Sequence, residues 1–471
     1  GATVQNVGAF RLAGGLVQNR SLTATNFTLE NGSVSAVLNG AGTLTKSTSG
    51  TAVLSGANNF SGWMDITAGT LAINSTGRLT SGSLSVENAG TVLDLGASSQ
   101  TVAALTLKNG LVQNGSLFAS NITLESGSMT AALGGGGGLN KNTGNVVTLS
   151  GTNTVTGPIN INAGTLVFAG TSVSSGTLFV ASGATLMGAA TLPGTAVLAS
   201  GGILSPGNAS ATGKLTLGGL TLSGGGTLSF KLNTTTNSDQ LTLTQSNAFT
   251  LSNNNTLSLS LAPGVGAITS GTYKLITYTG ATRTSGLTLA DPLFAGLDAH
   301  LLWNANDVSL KLDNPTPPSA TLSANISSQY LESGTSVIFT ATVLGTPSFS
   351  YQWRKDGSNL NGGTAVSSGT YQIPSATYLD SGSYEVVVTS AYGTSTTSKV
   401  YIEVVDFAQP LTLTIPDATP LTFAGTLGFR GGVNLVRNGN GNFIFPATVS
   451  IPGTLNYSGS SSLPQIINTG I

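Results

Sequence analysis

The sequence contains no cysteine, one histidine and six glutamates in 471 residues, and charged residues make up only 7% of it. Without cysteine, the chain forms neither disulfides nor thiolate metal sites. Its 16 lysines and arginines are scattered along the chain and balanced by 17 acids. A nucleic-acid-binding surface needs clustered basic residues, so no nucleic-acid partner is predicted.

Long apolar runs are also missing. A membrane helix needs roughly 18–20 consecutive apolar residues, and no run approaches that length, so no membrane span is predicted. The scarcity of glutamate argues against a helical protein. Many bacterial surface proteins avoid cysteine, whereas animal secreted β-proteins carry disulfides. The composition therefore favours an exported, all-β bacterial protein.

Short alternating segments dominate what is present. Residues 43–45, 52–55, 70–73 and 84–86 each alternate apolar and polar side chains and are separated by glycine, asparagine or serine. Alternation points one side chain inward and the next outward, as in a β-strand. Strands this short and this frequent are typical of a β-solenoid, in which coils stack into one continuous core.

An internal duplication supports that interpretation. Residues 16–71 align without a gap with residues 111–166, at an offset of 95, and 30 of the 56 positions are identical. The chain therefore repeats a unit of about 95 residues within its first half.

The duplicated unit resembles the bacterial autotransporter-associated β-strand repeat. The resemblance rests on the segments Gly42-Thr43-Leu44-Thr45-Lys46, Leu54-Ser55-Gly56-Ala57-Asn58-Asn59-Phe60-Ser61-Gly62 and Ala68-Gly69-Thr70-Leu71, and in the second copy on Leu139, Lys141, Leu149-Ser150-Gly151, Asn153 and Ala163-Gly164-Thr165-Leu166. The second copy departs from the pattern at Val155, where an aromatic is expected, and at Pro158. The resemblance implies a right-handed parallel β-helix, which we extend over residues 1–314, exported to the cell surface or beyond.

A proline-rich linker, residues 315–319, separates this region from a second module at residues 320–406. Two segments, a strand at residues 336–343 and a strand with a turn at residues 350–357, precede an Asp-Ser-Gly-Ser-Tyr sequence that begins at Asp380. Together they resemble an immunoglobulin-like sandwich.

That resemblance assigns five structural residues. It makes Trp353 the core tryptophan and Tyr384 the tyrosine of the corner that begins at Asp380, and it aligns Ala341 and Val386 with the two disulfide positions. Since cysteine is absent, apolar packing must replace the bridge. No lysine or arginine lies between residues 356 and 379, so the sequence does not identify a basic partner for the carboxylate of Asp380.

The last segment, residues 407–471, is β-rich and carries a weaker echo of the solenoid repeat at residues 436–445. It is small for an independent core. We therefore expect it to pack on a neighbouring module or on another chain, as a second solenoid element or as an inter-subunit element. Neither chain terminus shows a cap, which favours association end to end through unpaired strand edges.

Candidate reactive residues are few. His300 has no nucleophile beside it in sequence, and Glu30 and Glu125 occupy equivalent repeat positions, which favours structural roles for all three. Lys46 and Lys141 are also equivalent and are interpreted as solvated edge residues. A calcium site is the less favoured alternative for the aspartates of residues 291–313.

These observations predict a non-enzymatic protein with no cofactor and no metal site: a parallel β-helix followed by an immunoglobulin-like β-sandwich and a β-rich C-terminal segment. The expected role is structural or adhesive, with self-association into a fibre or surface layer. The alternative is an adhesin that binds a glycan or a host or cell-surface protein, with the β-helix as its stalk and Tyr351, Tyr371, Tyr378 and Tyr392 as candidate sugar contacts. A polysaccharide-active enzyme is the third and least favoured possibility.

Overall fold

The computed structural model describes residues 5–405 except 75, 80, 253, 281–285 and 361–365, and beyond residue 405 the backbone of short strands. Two compact units divide the chain, residues 1–314 and 315–471. The predicted fold class is confirmed: a β-solenoid, an immunoglobulin-like sandwich and C-terminal β-sheets.

One sheet of 34 strands forms the first unit within the described residues. In chain order its strands are β1 Gln5–Leu12, β2 Leu16–Val17, β3 Ser21–Leu29, β4 Gly32–Val34, β5 Val37–Gly40, β6 Thr43–Lys46, β7 Thr51–Leu54, β8 Asn59–Phe60, β9 Met64–Ile66, β10 Thr70–Ile73, β11 Ser83–Glu87, β12 Val92–Asp94, β13 Ser99–Gln113, β14 Ser116–Met129, β15 Ala132–Gly135, β16 Leu139–Lys141, β17 Val146–Leu149, β18 Asn153–Val155, β19 Ile159–Ile161, β20 Thr165–Phe168, β21 Leu178–Val180, β22 Thr185–Gly188, β23 Thr191–Leu198, β24 Ile203–Pro206, β25 Lys214–Leu222, β26 Thr227–Leu232, β27 Gln240–Ser246, β28 Phe249–Leu251, β29 Asn255–Leu261, β30 Gly271–Thr279, β31 Leu287–Leu289, β32 Leu293–Phe294, β33 Leu297–Trp303 and β34 Asp307–Asp313.

Parallel pairing between successive coils builds this unit. Leu44 of β6 lies in register with Met64 of β9, which lies in register with Leu84 of β11. All three side chains are buried. The same column continues through Leu105 and Ile122, so successive coils each add one apolar residue to this column of the core.

Close coil contact explains the glycine-rich segment after β15. A Cβ on Gly137 would lie 1.3 Å from the carbonyl oxygen of Ser120 on the preceding coil. Only glycine allows the two backbones to approach this closely. The segment is therefore a tightly packed corner of the solenoid.

Antiparallel strands close the C-terminal end of the solenoid. β30 pairs in parallel with β27 but antiparallel with β34, which pairs in turn with β33. Val308, Leu310 and Leu312 of β34 belong to the same core as the coils. This end of the solenoid is therefore not an open parallel edge. At the N-terminal end, β1 pairs with β3 on one side within the described residues.

The second unit begins with a two-sheet sandwich. Its strands are β35 Ser319–Ala324, β36 Tyr330–Glu332, β37 Val337–Leu344, β38 Ser350–Lys355, β39 Ser358–Asn359, β40 Thr370–Ile373, β41 Gly382–Ser390, β42 Gly393–Thr396 and β43 Val400–Val405, with a 3-10 helix at Tyr378–Asp380. One sheet has the order β35-β37-β40, and the other has the order β36-β43-β41-β38-β39, with β42 paired to β41. Inward side chains of both sheets form a core separate from that of the solenoid.

The C-terminal segment contains backbone strands that also pair in parallel. They are β44 Leu411–Ile415, β45 Leu421–Thr422, β46 Leu427–Gly428, β47 Val433–Arg437, β48 Phe443–Phe445, β49 Val449–Ser450, β50 Leu455–Gly459 and β51 Ile467–Asn468. Their orders are β44-β47-β50, β45-β48-β51 and β46-β49. The rest of 407–471, including residues 438–442 of the repeat echo, lies outside the described residues.

Candidate functional site

His300, Asp307 and Asp313 at the solenoid end all have polar partners on β33, on β34 or in the turn between them. His300 Nε2 lies 3.4 Å from Asp313 Oδ2, and Lys311 Nζ donates to the same carboxylate. Asp307 accepts hydrogen bonds from Asn304 Nδ2 and Ser309 Oγ, both at 2.7 Å. No group of three or more His, Asp or Glu side chains that could hold a metal ion occurs in the described part of the chain.

The repeated glutamates and lysines belong to the solenoid framework. Arg11 Nε lies 2.5 Å from Glu30 Oε1 on the neighbouring coil. Lys46 and Lys141 are both fully buried, so the interpretation of these lysines as solvated edge residues is wrong.

Each buried lysine binds backbone carbonyls at a coil corner. Lys46 Nζ donates to the carbonyl oxygens of Thr48 and, at 3.0 Å, Ala68. Lys141 Nζ does the same with Thr143 and, at 3.1 Å, Ala163. Burial lowers the pKa of both lysines. These ammonium groups bridge adjacent coils through backbone carbonyls, which favours a structural role.

A third buried ammonium, that of Lys231, has an acidic partner. Its Nζ lies 2.7 Å from Asp239 Oδ2, and both residues are buried. The Asp239 carboxylate also accepts the backbone N–H groups of Lys231 and Gly213, both at 2.8 Å. Burial raises the pKa of Asp239, while Lys231 opposes the shift. Composition alone does not reveal this pair.

A shallow groove of about 700 Å³ follows one corner of the solenoid. Its lining is small and polar and includes Thr152, Gly170 and Thr171. It contains no charged or aromatic side chain, so it offers neither acid–base chemistry nor a stacking surface.

In the sandwich, the five residues assigned by resemblance fall on the two inner faces and the corner. Trp353 is 1% exposed and Val386, opposite it in register on β41, is fully buried. Ala341 is half-buried and packs at the margin of the same core. Tyr384 is 1% exposed.

The corner itself is closed by two sets of hydrogen bonds. Tyr384 Oη donates to the backbone carbonyl of Asp380 at 2.7 Å. The Asp380 carboxylate accepts from the backbone N–H and the hydroxyl of Thr377, both at 2.8 Å. The partner of Asp380 that the sequence did not identify is therefore Thr377, at the start of the 3-10 helix.

Sequence reasoning missed the aromatic partners that complete this core. The ring of Phe339 stacks on Tyr384 with centroids 4.4 Å apart, and the ring of Tyr371 lies 5.7 Å from Trp353. Phe339 is two residues before Ala341 on the same inward face of β37, so strand alternation alone could have identified it.

The proposed sugar-contacting tyrosines have different exposures. Tyr371 packs in the core, and Tyr351 and Tyr392 are partly buried, whereas Tyr378 is 71% exposed. Two exposed tyrosines were not singled out by the sequence: Tyr330 at 62% and Tyr401 at 46%. The sandwich therefore carries its accessible phenols near β36, β43 and the 3-10 helix.

Comparison with known families matches two regions. The passenger-associated transport repeat matches residues 44–73 and 139–168, and the immunoglobulin domain matches residues 317–390. Both are the families that the sequence resembled, so those resemblances are confirmed. No described helix is long and apolar enough to cross a membrane.

Individual relatives cover small parts of the chain. The adhesin BmaC autotransporter of Brucella suis biovar 1 (strain 1330) is 35% identical over 134 residues, which is 27% of this chain and 4% of that protein. The solved Sidekick-1 immunoglobulin domains 1-5 are 23% identical over 24% of this chain and 22% of that chain, with a TM-score of 0.19. The amphioxus IgVJ-C2 molecule is 18% identical over 23% of this chain and 56% of that chain, with a TM-score of 0.17.

Proposed function

We propose that this autotransporter passenger-like protein with an immunoglobulin-like domain is a non-enzymatic, surface-exposed or secreted bacterial adhesin. In this proposal the solenoid is a stalk and the sandwich binds a partner. The observation that carries the proposal is the presence in one chain of stacked transport repeats and an immunoglobulin domain. The relative that shares 35% identity over 134 residues is named an adhesin, which supports the same role.

The solenoid has the physical properties of a stalk. Each added coil lengthens the stack by about 4.7–4.9 Å, and one apolar column runs through successive coils. Because neighbouring coils pair along several strand ladders, as β5, β6 and β7 do with β8, β9 and β10, the core is continuous rather than divided into loosely linked parts.

An enzyme that acts on polysaccharide receives less support. Such enzymes use paired carboxylates a few ångströms apart. The carboxylate of Glu30 forms an ion pair with Arg11, and that of Asp239 is fully buried in an ion pair with Lys231, so neither is placed to act on a substrate. This arrangement favours the adhesive role.

The direct experiment measures cell attachment. Beads coated with the full chain should attach to target cells, and beads coated at equal density with a chain lacking residues 315–405 should not. A Trp63→Ala chain is the matched control, because that side chain is 63% exposed on the solenoid. Equal attachment by the deletion and the full chain would rule out the sandwich as the binding module.

Self-association is a second candidate, favoured by two observations. The strands of residues 411–468 pair in parallel, as coils do, and β1 pairs on one side within the described residues. A strand of one copy could add to such an edge in another. Light scattering and electron microscopy of the full chain and of a chain lacking residues 407–471 test this. A full chain that stays monomeric at high concentration, or a deletion that still polymerises, excludes it.

A further inference from the structure

The outer face of β36 and β43 presents two exposed phenols around one carboxylate. Tyr330 of β36 lies in register with Glu403 of β43. Tyr401 precedes Glu403 by two residues and therefore points to the same side of the strand. Tyr330 is 62% exposed and Tyr401 is 46% exposed. We call these three residues the tyrosine face.

The carboxylate and one phenol are already oriented toward each other. Tyr401 Oη donates a hydrogen bond to Glu403 Oε2. This bond holds the Tyr401 ring beside Glu403 and reduces the rotamer freedom that would be lost when a ligand binds. The tyrosine face is thus partly preorganised before any ligand arrives.

A second exposed segment borders the tyrosine face. The 3-10 helix at Tyr378–Asp380 packs against β43, and the backbone N–H of Val404 donates to Ser381 Oγ at 2.8 Å. On this helix Tyr378 is 71% exposed and Leu379 is 68% exposed. Exposed apolar side chains that gather at one place mark an interaction surface, whereas single ones do not.

We propose that the tyrosine face binds a neutral sugar, with pyranose rings stacked on Tyr330 and Tyr401 and a sugar hydroxyl donating to Glu403. This rests on the adhesive function proposed above and names its ligand class. Phenol rings offer flat apolar area together with a polar tip, and they lose little entropy on binding. A carboxylate accepts strong hydrogen bonds from hydroxyl donors.

The charges around the tyrosine face select against acidic sugars. Glu403 accepts the hydrogen bond of Tyr401, and Asp356 accepts from the backbone N–H of Ser383, which lies in register with Tyr401. Lys355 Nζ donates to the carbonyl oxygen of Leu379 and keeps its positive charge beside the 3-10 helix. The two carboxylates of Glu403 and Asp356 outnumber this one ammonium, so an anionic sugar is the less favoured ligand, whereas a neutral sugar meets hydrogen-bond acceptors.

The test uses the full chain and a panel of neutral and sialylated oligosaccharides, with affinities measured by calorimetry. At least one neutral oligosaccharide should bind, and Tyr330→Ala and Tyr401→Ala should each weaken its binding about tenfold. Trp63→Ala removes an equally exposed aromatic from the solenoid and should change nothing. All three replacements remove exposed rings, so thermal unfolding should stay as in the unaltered chain.

The remaining outcomes separate this proposal from the adhesive function. Binding of sialylated sugars alone, binding that falls steeply with salt, or no binding of any neutral sugar would overturn the proposal. If the tyrosine replacements abolish cell attachment while no sugar binds, the partner is a protein, and the adhesive function stands without this ligand. If a neutral sugar binds as expected but coated beads do not attach to cells, the adhesive function fails and the ligand assignment stands.

Discussion

At the residue scale, single aromatic side chains carry the sandwich because no disulfide supports it. Trp353, Tyr384 and Phe339 are almost completely buried and pack on one another across the two sheets. Tyr384 also closes the corner through its hydroxyl. Two replacements separate these contributions, one removing a ring and the other only an oxygen atom.

Replacing Trp353 with alanine should destabilise the sandwich by about 3–5 kcal/mol, because the lost ring leaves a cavity in the core. In calorimetry of the full chain, the sandwich transition should shift down or vanish while the solenoid transition stays. Trp63→Ala, which removes an exposed ring, should shift neither transition. An unchanged sandwich transition in Trp353→Ala would remove this residue from the core assignment.

Replacing Tyr384 with phenylalanine keeps the ring and removes the hydroxyl that donates to the Asp380 carbonyl. The loss should be about 1 kcal/mol, and up to about 3 kcal/mol if the carbonyl is left without a partner. Chemical denaturation monitored by tryptophan fluorescence measures it. Tyr378→Phe, at a 71% exposed position, is the control and should leave the midpoint unchanged. Equal midpoints for the two variants would mean that the corner bond contributes nothing.

At the scale of strands, alternation decides which side chains enter the solenoid, whatever their charge. In β6, Leu44 and Lys46 are two residues apart and both are buried. The lysine is tolerated because the coil corner supplies carbonyl oxygens to its ammonium group. Lys231 of β26 is also a buried lysine, and its ammonium group pairs with the carboxylate of Asp239, in the turn before β27.

Replacing Asp239 with alanine should destabilise the solenoid by about 3–5 kcal/mol, because it leaves the buried Lys231 ammonium without its counter-charge. Adding Lys231→Met should restore part of that stability. Urea denaturation of the solenoid transition is the measurement. Glu87→Ala breaks a half-exposed pair with Lys108, at 3.3 Å, and should cost no more than about 1 kcal/mol. Similar losses for Asp239→Ala and Glu87→Ala would contradict the buried-pair argument.

At the scale of the whole molecule, the stabilities of the solenoid and of the sandwich should change in opposite directions as the pH is raised. Burial lowers the pKa of Lys46 and Lys141, so the folded solenoid releases protons below about pH 10.4, where the unfolded chain still binds them. Solenoid stability therefore rises with pH in that window. Burial raises the pKa of Tyr384, so above about pH 10 the unfolded chain loses a proton that the folded sandwich retains. Sandwich stability therefore falls as pH rises past that point.

Calorimetry of the full chain from about pH 8 to about pH 11 should show the two transitions moving in opposite directions. Tyr384→Phe should flatten the decline of the sandwich, and a Lys46→Met, Lys141→Met double variant should flatten the rise of the solenoid. Transitions that move in parallel in the unaltered chain would show that these buried groups do not control the response.

The all-β class and the repeat could be predicted from the amino-acid sequence because both follow from local pattern, and the two folds followed from family resemblance. Alternation of side chains and the 95-residue offset are visible without coordinates, and so is the Asp-Ser-Gly-Ser-Tyr corner. Tertiary structure alone decided the environment of each charge and the accessibility of each tyrosine. Lys46 is stabilised in the interior by a carbonyl of the next coil, and Tyr401 lies exposed on β43 whereas Tyr371 packs against the core of the sandwich. These properties depend on neighbours distant in the chain, which a local pattern does not specify.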